Sequence, residues 1–330
     1  MRAVVCREFG HYRDMAIETV DDPTPGPGQV AIRIQATGVS FANILQIAGK
    51  HQNKAEPPFT PGAEISGIVS AIGLDVSGFA PGDRVVAAVS NGGHAEIAVA
   101  RTDLTFKMPD SMSFPEGTVF PSILATSYAG VAIEGRLEAG ETLLVHGAAG
   151  ATGLAAVQIG RALGTVVIAC ASTEEKRAAA LKAGADHVLP SGEFRDRVLE
   201  LTGGRGADVV FDPVGGAVFQ QSLRCIAPEG RLLVIGFASG DIPQVPANIA
   251  LVKNIAIVGV YWGYYMGWAK LEPSPRAKRR LAECFSELFK LYEAGKIKPQ
   301  VHGTLPIEKF ADALAIVDER RAVGKVVMLT

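Results

Sequence analysis

Along the first third of the chain, apolar residues come in short runs: Val30–Ala36, Ile65–Ile72, Arg84–Val89 and His94–Val99. Turn-forming residues separate them, at Pro25-Gly26-Pro27-Gly28, Pro61-Gly62 and Pro81-Gly82-Asp83. Proline presets φ and glycine admits positive φ, so such clusters reverse the chain. Short strands at this spacing predict a small, irregular antiparallel barrel. From about Ala125 the period changes. Apolar strand patterns at Thr142–His146, Thr165–Ala169, Asp208–Phe211, Arg231–Ile235 and Ile255–Val260 alternate with helical patterns at Gly153–Leu163, Glu174–Ala183, Arg195–Thr202 and Ala217–Ile226. Continuous apolar strands joined by amphipathic helices predict a parallel sheet covered on both faces. After Trp262 the alternation stops. A helix over Ala277–Ala294, a further segment over Pro306–Arg321 and a closing strand over Lys325–Leu329 complete the chain.

At 330 residues the chain is long enough for two cores. Its net charge of −2 leaves no basic footprint for nucleic acid or an anionic membrane surface. The charge-free stretch Thr142–Gly160 holds four glycines, a histidine and two threonines, a poor membrane span. The N-terminus is charged too early for a signal peptide, and Cys6, Cys170, Cys225 and Cys284 form no close pair. A cytoplasmic protein with buried free thiols is expected.

The most informative segment joins the strand at Thr142 to the helix ending at Leu163 through His146-Gly147-Ala148-Ala149-Gly150-Ala151-Thr152-Gly153. It is a variant of the G-x-G-x-x-G turn, with Ala148, Gly150 and Gly153 in the three key places. Gly150 lets backbone approach a pyrophosphate, Gly153 lets the helix pack on its strand, and free N–H groups at the helix start bind phosphate. Ala149, Ala151 and Thr152 fill the turn. The second strand then ends in Cys170-Ala171-Ser172, with Lys176 and Arg177 just behind. An acid for the ribose 2′-hydroxyl of NAD is expected there. A hydroxyl and cations instead attract a 2′-phosphate, so Ser172 and Lys176 predict NADPH.

Taken in order, these segments resemble the zinc-free quinone oxidoreductase (ζ-crystallin-like) branch of the medium-chain dehydrogenase/reductase superfamily. The residues that carry the resemblance run from Gly38-Val39-Ser40-Phe41-Ala42-Asn43 and Pro61-Gly62-Ala63-Glu64, through Ala125-Thr126-Ser127-Tyr128 and the glycine turn, to Asp212-Pro213-Val214-Gly215-Gly216 and Gly324-Lys325-Val326-Val327. The stretch Asn254–Trp262 looks closest to the subgroup of quinone oxidoreductase-like proteins. The resemblance implies an α/β fold in which a Rossmann-type doubly wound parallel sheet joins a GroES-like β-barrel catalytic domain. It divides the chain into a GroES-like domain over 1–124, a cofactor-binding domain over 125–264 and a return to the first domain over 265–330.

The same resemblance tests for zinc. The zinc enzymes of the superfamily place a cysteine at the position of Ser40 and a histidine at that of Ala63. Neither serine nor alanine binds zinc usefully, and the cysteine-rich structural lobe is missing as well. No metal is expected. For the nicotinamide end, the resemblance implies contacts from Thr126, Val214, Phe237, Val260, Tyr261 and Trp262, with Ser40, Asn43, Gly324 and Lys325 also reaching the cofactor. The chain departs from the branch at Ser40, Asn43 and His51, where asparagine, aspartate and tyrosine are frequent.

Without a metal, the chemistry falls to hydride transfer from the nicotinamide. Quinones and other conjugated carbonyls suit it, because hydride addition leaves a delocalised anion that needs no Lewis acid. The expected pocket is the cleft between the domains, lined by Phe41, Ile44, His51, Tyr128 and Trp262, with Tyr264 and Tyr265 nearby. Such an apolar, aromatic lining fits a flat substrate. No side chain stands out as a catalytic acid. Two other readings stay open: a reductase of enones, enals or acryloyl thioesters, and a non-catalytic NADPH-binding protein. Ile255–Val260 is expected at a sheet edge, where an apolar strand invites pairing with its copy in a homodimer.

Overall fold

The computed structural model describes residues 1–51 and 55–330. Its strands are β1 (Arg2–Val5), β2 (Ala16–Thr19), β3 (Gln29–Val39), β4 (Glu64–Ile72), β5 (Arg84–Ala88), β6 (Ile97–Arg101) and β7 (Thr105–Lys107). Then follow β8 (Thr142–Val145), β9 (Val166–Ala171), β10 (His187–Pro190), β11 (Ala207–Asp212), β12 (Ile226–Val234) and β13 (Ala256–Gly259). Strands β14 (Val301–Pro306) and β15 (Lys325–Leu329) close the chain. These elements form two compact units, one of Met1–Ser122, Gly263–Lys278 and Pro299–Thr330, the other of Ile123–Trp262 and Arg279–Lys298. The long helix Pro275–Glu293 is therefore divided, most of it lying with the second unit.

In the first unit, β3 organises the sheet. Its residues Val30–Thr37 pair antiparallel with β4 along one edge, while β6 and β15 share the other. Strands β5 and β7 extend the sheet beyond β4, and β14 lies parallel to β15. One face buries Val30, Ile32, Ile34, Ile65, Val69 and Val85 in a common core. A second core gathers Val39, Ile47, Phe310, Leu314 and Met328, so the helices Phe41–Ile47 and Phe310–Asp318 are held against the end of β3. Burying each of these aliphatic or aromatic side chains contributes about 1.5–3 kcal/mol before entropy is counted.

In the second unit, six parallel strands run in the order β10-β9-β8-β11-β12-β13. Numbered from β8, that order is 3-2-1-4-5-6, the Rossmann arrangement. The central strands β8 and β11 are buried along almost their whole length, and every residue of β11 is buried. Strand β13, at the edge, is only half covered. The pairing of β11 with β12 jumps from Ile226 to Arg231, and Glu229 takes a φ of +63° in the bulge between. The straight ladder therefore begins at Arg231, where the apolar pattern begins.

Candidate active site

The turn after β8 is built by two glycines with different tasks. Gly147 has a φ of +57°, a left-handed conformation that costs a side chain dearly. Gly153 is demanded by space: a Cβ there would lie 2.3 Å from the Gly147 carbonyl oxygen and 2.7 Å from the Ala148 Cα. Backbone cannot yield, so only glycine lets the helix Ala151–Ala162 dock this closely. Gly150 is the N-cap residue of that helix and offers no side chain to it. The first N–H groups of the helix are thus left to a ligand, and the helix dipole favours an anion. The Ser127 hydroxyl shares its proton between the carbonyls of Ile123 at 2.9 Å and Thr152 at 2.8 Å, tying the segment that carries Thr126 to the same turn.

At the next strand end, Ser172 is exposed just beyond β9. The helix Glu174–Lys182 begins there, its Thr173 hydroxyl accepting the Lys176 N–H at 3.3 Å. Arg177 folds back from the first turn of that helix, and its Nη1 donates to the carbonyls of Ala171 at 3.3 Å and Ser172 at 3.4 Å. The sequence pattern set Lys176 and Arg177 together just behind the strand end. The structure brings the Arg177 guanidinium to the strand end itself.

The remaining expected contacts of this unit also follow strand ends: Val214 after β11, Phe237 after β12, and Val260, Tyr261 and Trp262 after β13. Phe237 and Tyr261 are exposed, whereas Val260 and Trp262 are buried. The carboxyl ends of parallel strands are where this sheet type binds ligands, above all at the switch between β8 and β11. Asp212 lies at that switch. Its Oδ1 accepts the N–H groups of Val214 at 2.8 Å and Gly215 at 3.0 Å, while the buried Oδ2 has no hydrogen-bond partner among the described residues. Burial pushes its carboxyl up from the usual range, against the two N–H bonds. Sequence reasoning gave Asp212 no role; the signal was an acid closing an apolar strand ahead of Pro213-Val214-Gly215-Gly216. Tyr128 is half-buried, and its phenol is pushed up to about 12 by desolvation, so it stays protonated as a donor.

In the first unit, Phe41 is exposed and Ile44 and His51 are partly covered, around the helix Phe41–Ile47. Asn43 is turned inward. Its Oδ1 accepts both the Ser40 N–H at 2.8 Å and the Ser40 hydroxyl at 3.0 Å, and no part of it is accessible. Lys325 is likewise buried, its ammonium 2.9 Å from Glu64 Oε2, as a charge contact outside hydrogen-bond geometry. Both side chains have partners within the fold. Gly324, with a φ of +91°, packs on the Gln300 carbonyl. Among the described residues, no group of three or more His, Cys, Asp or Glu is arranged to hold a metal. No helix among them is long and apolar enough to cross a membrane, and all four cysteines are free and buried.

Residues 26–110 match the GroES-like domain of alcohol dehydrogenases, and residues 151–274 match the zinc-binding dehydrogenase family. The chain is 37% identical to a quinone oxidoreductase-like protein 2 homolog of Nematostella vectensis, across 100% of this chain and 89% of that protein. A mycobacterial protein solved in complex with NADPH superposes with a TM-score of 0.90 at 31% identity, covering 100% of both chains. Escherichia coli quinone oxidoreductase complexed with NADPH gives 0.87 at 26%, again over 100% of both.

Proposed function

Because the chain belongs to the quinone oxidoreductase-like branch of the medium-chain dehydrogenase/reductase superfamily, we propose that it is a cytoplasmic NADPH-dependent oxidoreductase that transfers a hydride to quinones, using neither metal nor flavin. The observation that carries this reading is the uncapped helix start at Gly150, paired with a guanidinium and no carboxylate at the end of β9. The first fits a pyrophosphate and the second a 2′-phosphate. When bound, NADPH supplies a hydride from its nicotinamide ring.

The chain's own residues bind and orient. Gly147, Gly150 and Gly153 shape the phosphate cradle, while Ser172, Lys176 and Arg177 select the 2′-phosphate. Thr126, Val214, Phe237, Val260, Tyr261 and Trp262 form the nicotinamide end in this reading, and Phe41, Ile44, His51 and Tyr128 the acceptor side. Ser40 and Ala63 stand where zinc ligands would be, so the acceptor itself must delocalise the charge it receives. A quinone does so as a hydroquinone anion, which water can protonate. In this reading 1–124 and 265–330 make up the catalytic part and 125–264 the cofactor-binding part, and we place a homodimer contact along Ile255–Val260.

The decisive experiment follows NADPH oxidation against quinones, enones and acryloyl-CoA. Turnover greatest with quinones supports this reading. Turnover greatest with enones or the thioester transfers the same chemistry to double-bond reduction. NADPH binding without turnover on any of them leaves a non-catalytic binding protein and defeats the proposal.

A further inference from the structure

We propose that Lys325 and Glu64 are a positioning pair that fixes Gly38, and through it the start of the helix Phe41–Ile47, where the acceptor binds. The inference rests on the acceptor role given to Phe41 and Ile44. Lys325 opens β15, Glu64 opens β4, and β3 lies between them, with Val326 opposite Val39 and Ile65 opposite Thr37. The two side chains therefore meet over the end of β3. They do so at 2.9 Å, with side-chain exposures of 2% and 3%.

Gly38 is what they press on. A Cβ at this residue would lie 2.4 Å from Lys325 Cε, 3.1 Å from its Nζ and 3.2 Å from Glu64 Oε2. Its φ is not in the left-handed region, so space, not conformation, requires the glycine here. From another side His94, wholly buried, holds the Gly38 carbonyl with Nε2 at 3.4 Å. A carbonyl only accepts, so Nε2 carries the proton, and burial pushes the ring down to about 4, keeping it neutral. Two residues beyond Gly38, Ser40 is locked to Asn43 and the helix begins. The strand end is thus gripped at its Cα and its carbonyl immediately before the segment that carries Phe41 and Ile44.

An ion pair this dry is weak evidence for stability, since apolar residues of like volume commonly do as well. What two buried charges do enforce is one geometry, because each must stay opposite the other. The burial of Lys325 also removes it from any phosphate.

The test compares Lys325→Met, the double variant Lys325→Met/Glu64→Gln, and Gly38→Ala, which drives the Lys325 side chain off Glu64 while keeping both charges. Three quantities are read: acceptor KM and kcat, NADPH affinity, and hydrogen exchange of the amides in 41–47. Lys325→Met leaves Glu64 buried and unpaired, and is expected to melt lower. The double variant removes both charges and is expected to melt near the wild type, yet to keep an acceptor KM raised about tenfold, the cost of a slightly misplaced pocket. Its amides in 41–47 should exchange faster, with NADPH affinity within about twofold of wild type. Gly38→Ala should give the same pattern. A double variant with wild-type KM and wild-type exchange would make the pair merely structural and overturn the proposal. So would a large loss of NADPH affinity at unchanged acceptor KM, which would make Lys325 a cofactor ligand. If the wild type reduces no acceptor, the proposed function fails alone, and exchange in 41–47 still judges the pair.

Discussion

Arg177 donates from Nη1 to the Ser172 carbonyl at 3.4 Å, laying a guanidinium across the end of β9 where a ribose-binding acid would otherwise stand. The neighbouring Lys176 ammonium has no ion-pair partner among the described residues and is free to swing to the same place. NADPH is therefore expected to bind more tightly than NADH. Arg177→Ala should weaken NADPH by about 1–3 kcal/mol, the range for a charge-assisted hydrogen bond, and leave NADH nearly unchanged. Calorimetric titration with both cofactors checks this. Equal loss for the two would show that Arg177 serves the helix and not the phosphate.

Gly150 and Gly153 should respond differently to alanine. At Gly150 the added methyl would meet only the Gly147 oxygen at 3.2 Å, and the backbone is in the ordinary negative-φ region. Gly150→Ala should fold normally but bind NADPH poorly, because the methyl stands where the pyrophosphate approaches. Gly153→Ala meets backbone at 2.3 Å and must push the helix off its strand, so it should lose stability as well as binding. Thermal melts beside cofactor titrations separate the two. A Gly153→Ala protein with a wild-type melt would refute the close-packing argument.

Much of this cofactor unit was legible in advance because its signals are local. A glycine turn, a strand of continuous apolar residues and a missing acid are each read within a few positions. The ion pair of Lys325 was not legible because its partner is not local, whereas Asn43 bonds Ser40 only three residues before it. Glu64 lies far from Lys325 in sequence, and only the pairing of β3 with both β4 and β15 brings them together. Strand β10 escaped notice because four residues ending in Pro190 carry little pattern, and as an edge strand it needs little. Arg177 was legible as a cation behind the strand end, and its reach back fits a residue one turn into a helix, which points toward the helix start.

Two histidines set the acid side of the stability profile. Burial holds His146 down at about 3, with its Nε2 2.8 Å from the Ser222 hydroxyl, and His94 at about 4. The ordinary histidine value is 6.5. Below it the unfolded chain takes up protons that the folded chain refuses, so stability is lost as pH falls from that value toward about 4. Urea unfolding should thus show a lower midpoint at about pH 5 than at about pH 7.5, a window above most carboxylate titration. Replacing His146 by asparagine should flatten the slope. An unchanged slope in that variant would mean that the His146 ring does not remain neutral in the fold.

Chelation should leave catalysis intact. Ser40 uses its hydroxyl on Asn43 and Ala63 has no donor, so neither can hold zinc. Activity is expected to survive exhaustive treatment with EDTA and phenanthroline, and elemental analysis of the purified protein should find no stoichiometric zinc. One zinc per chain, lost together with activity, would reverse this.

Assembly follows from the open side of β13. Val260 donates its N–H to the Val234 carbonyl at 3.0 Å, on the side of β12. Strand geometry alternates, so the N–H groups of Val258 and Ala256 point the same way, while those of Ile257 and Gly259 face outward. Among the described residues, no strand of the sheet lies beyond them. An apolar edge with unsatisfied donors is a template for another strand, and a two-fold contact needs only one self-complementary patch. The wild type is therefore expected to be a dimer by light scattering, with twice the mass of the 34.6 kDa chain. Ile257→Pro removes a donor on the outer side alone and spares the ladder to β12, so it should yield a folded monomer. A wild type that scatters as one chain at micromolar concentration would refute the edge-to-edge dimer, and a dimeric Ile257→Pro variant would move the contact elsewhere.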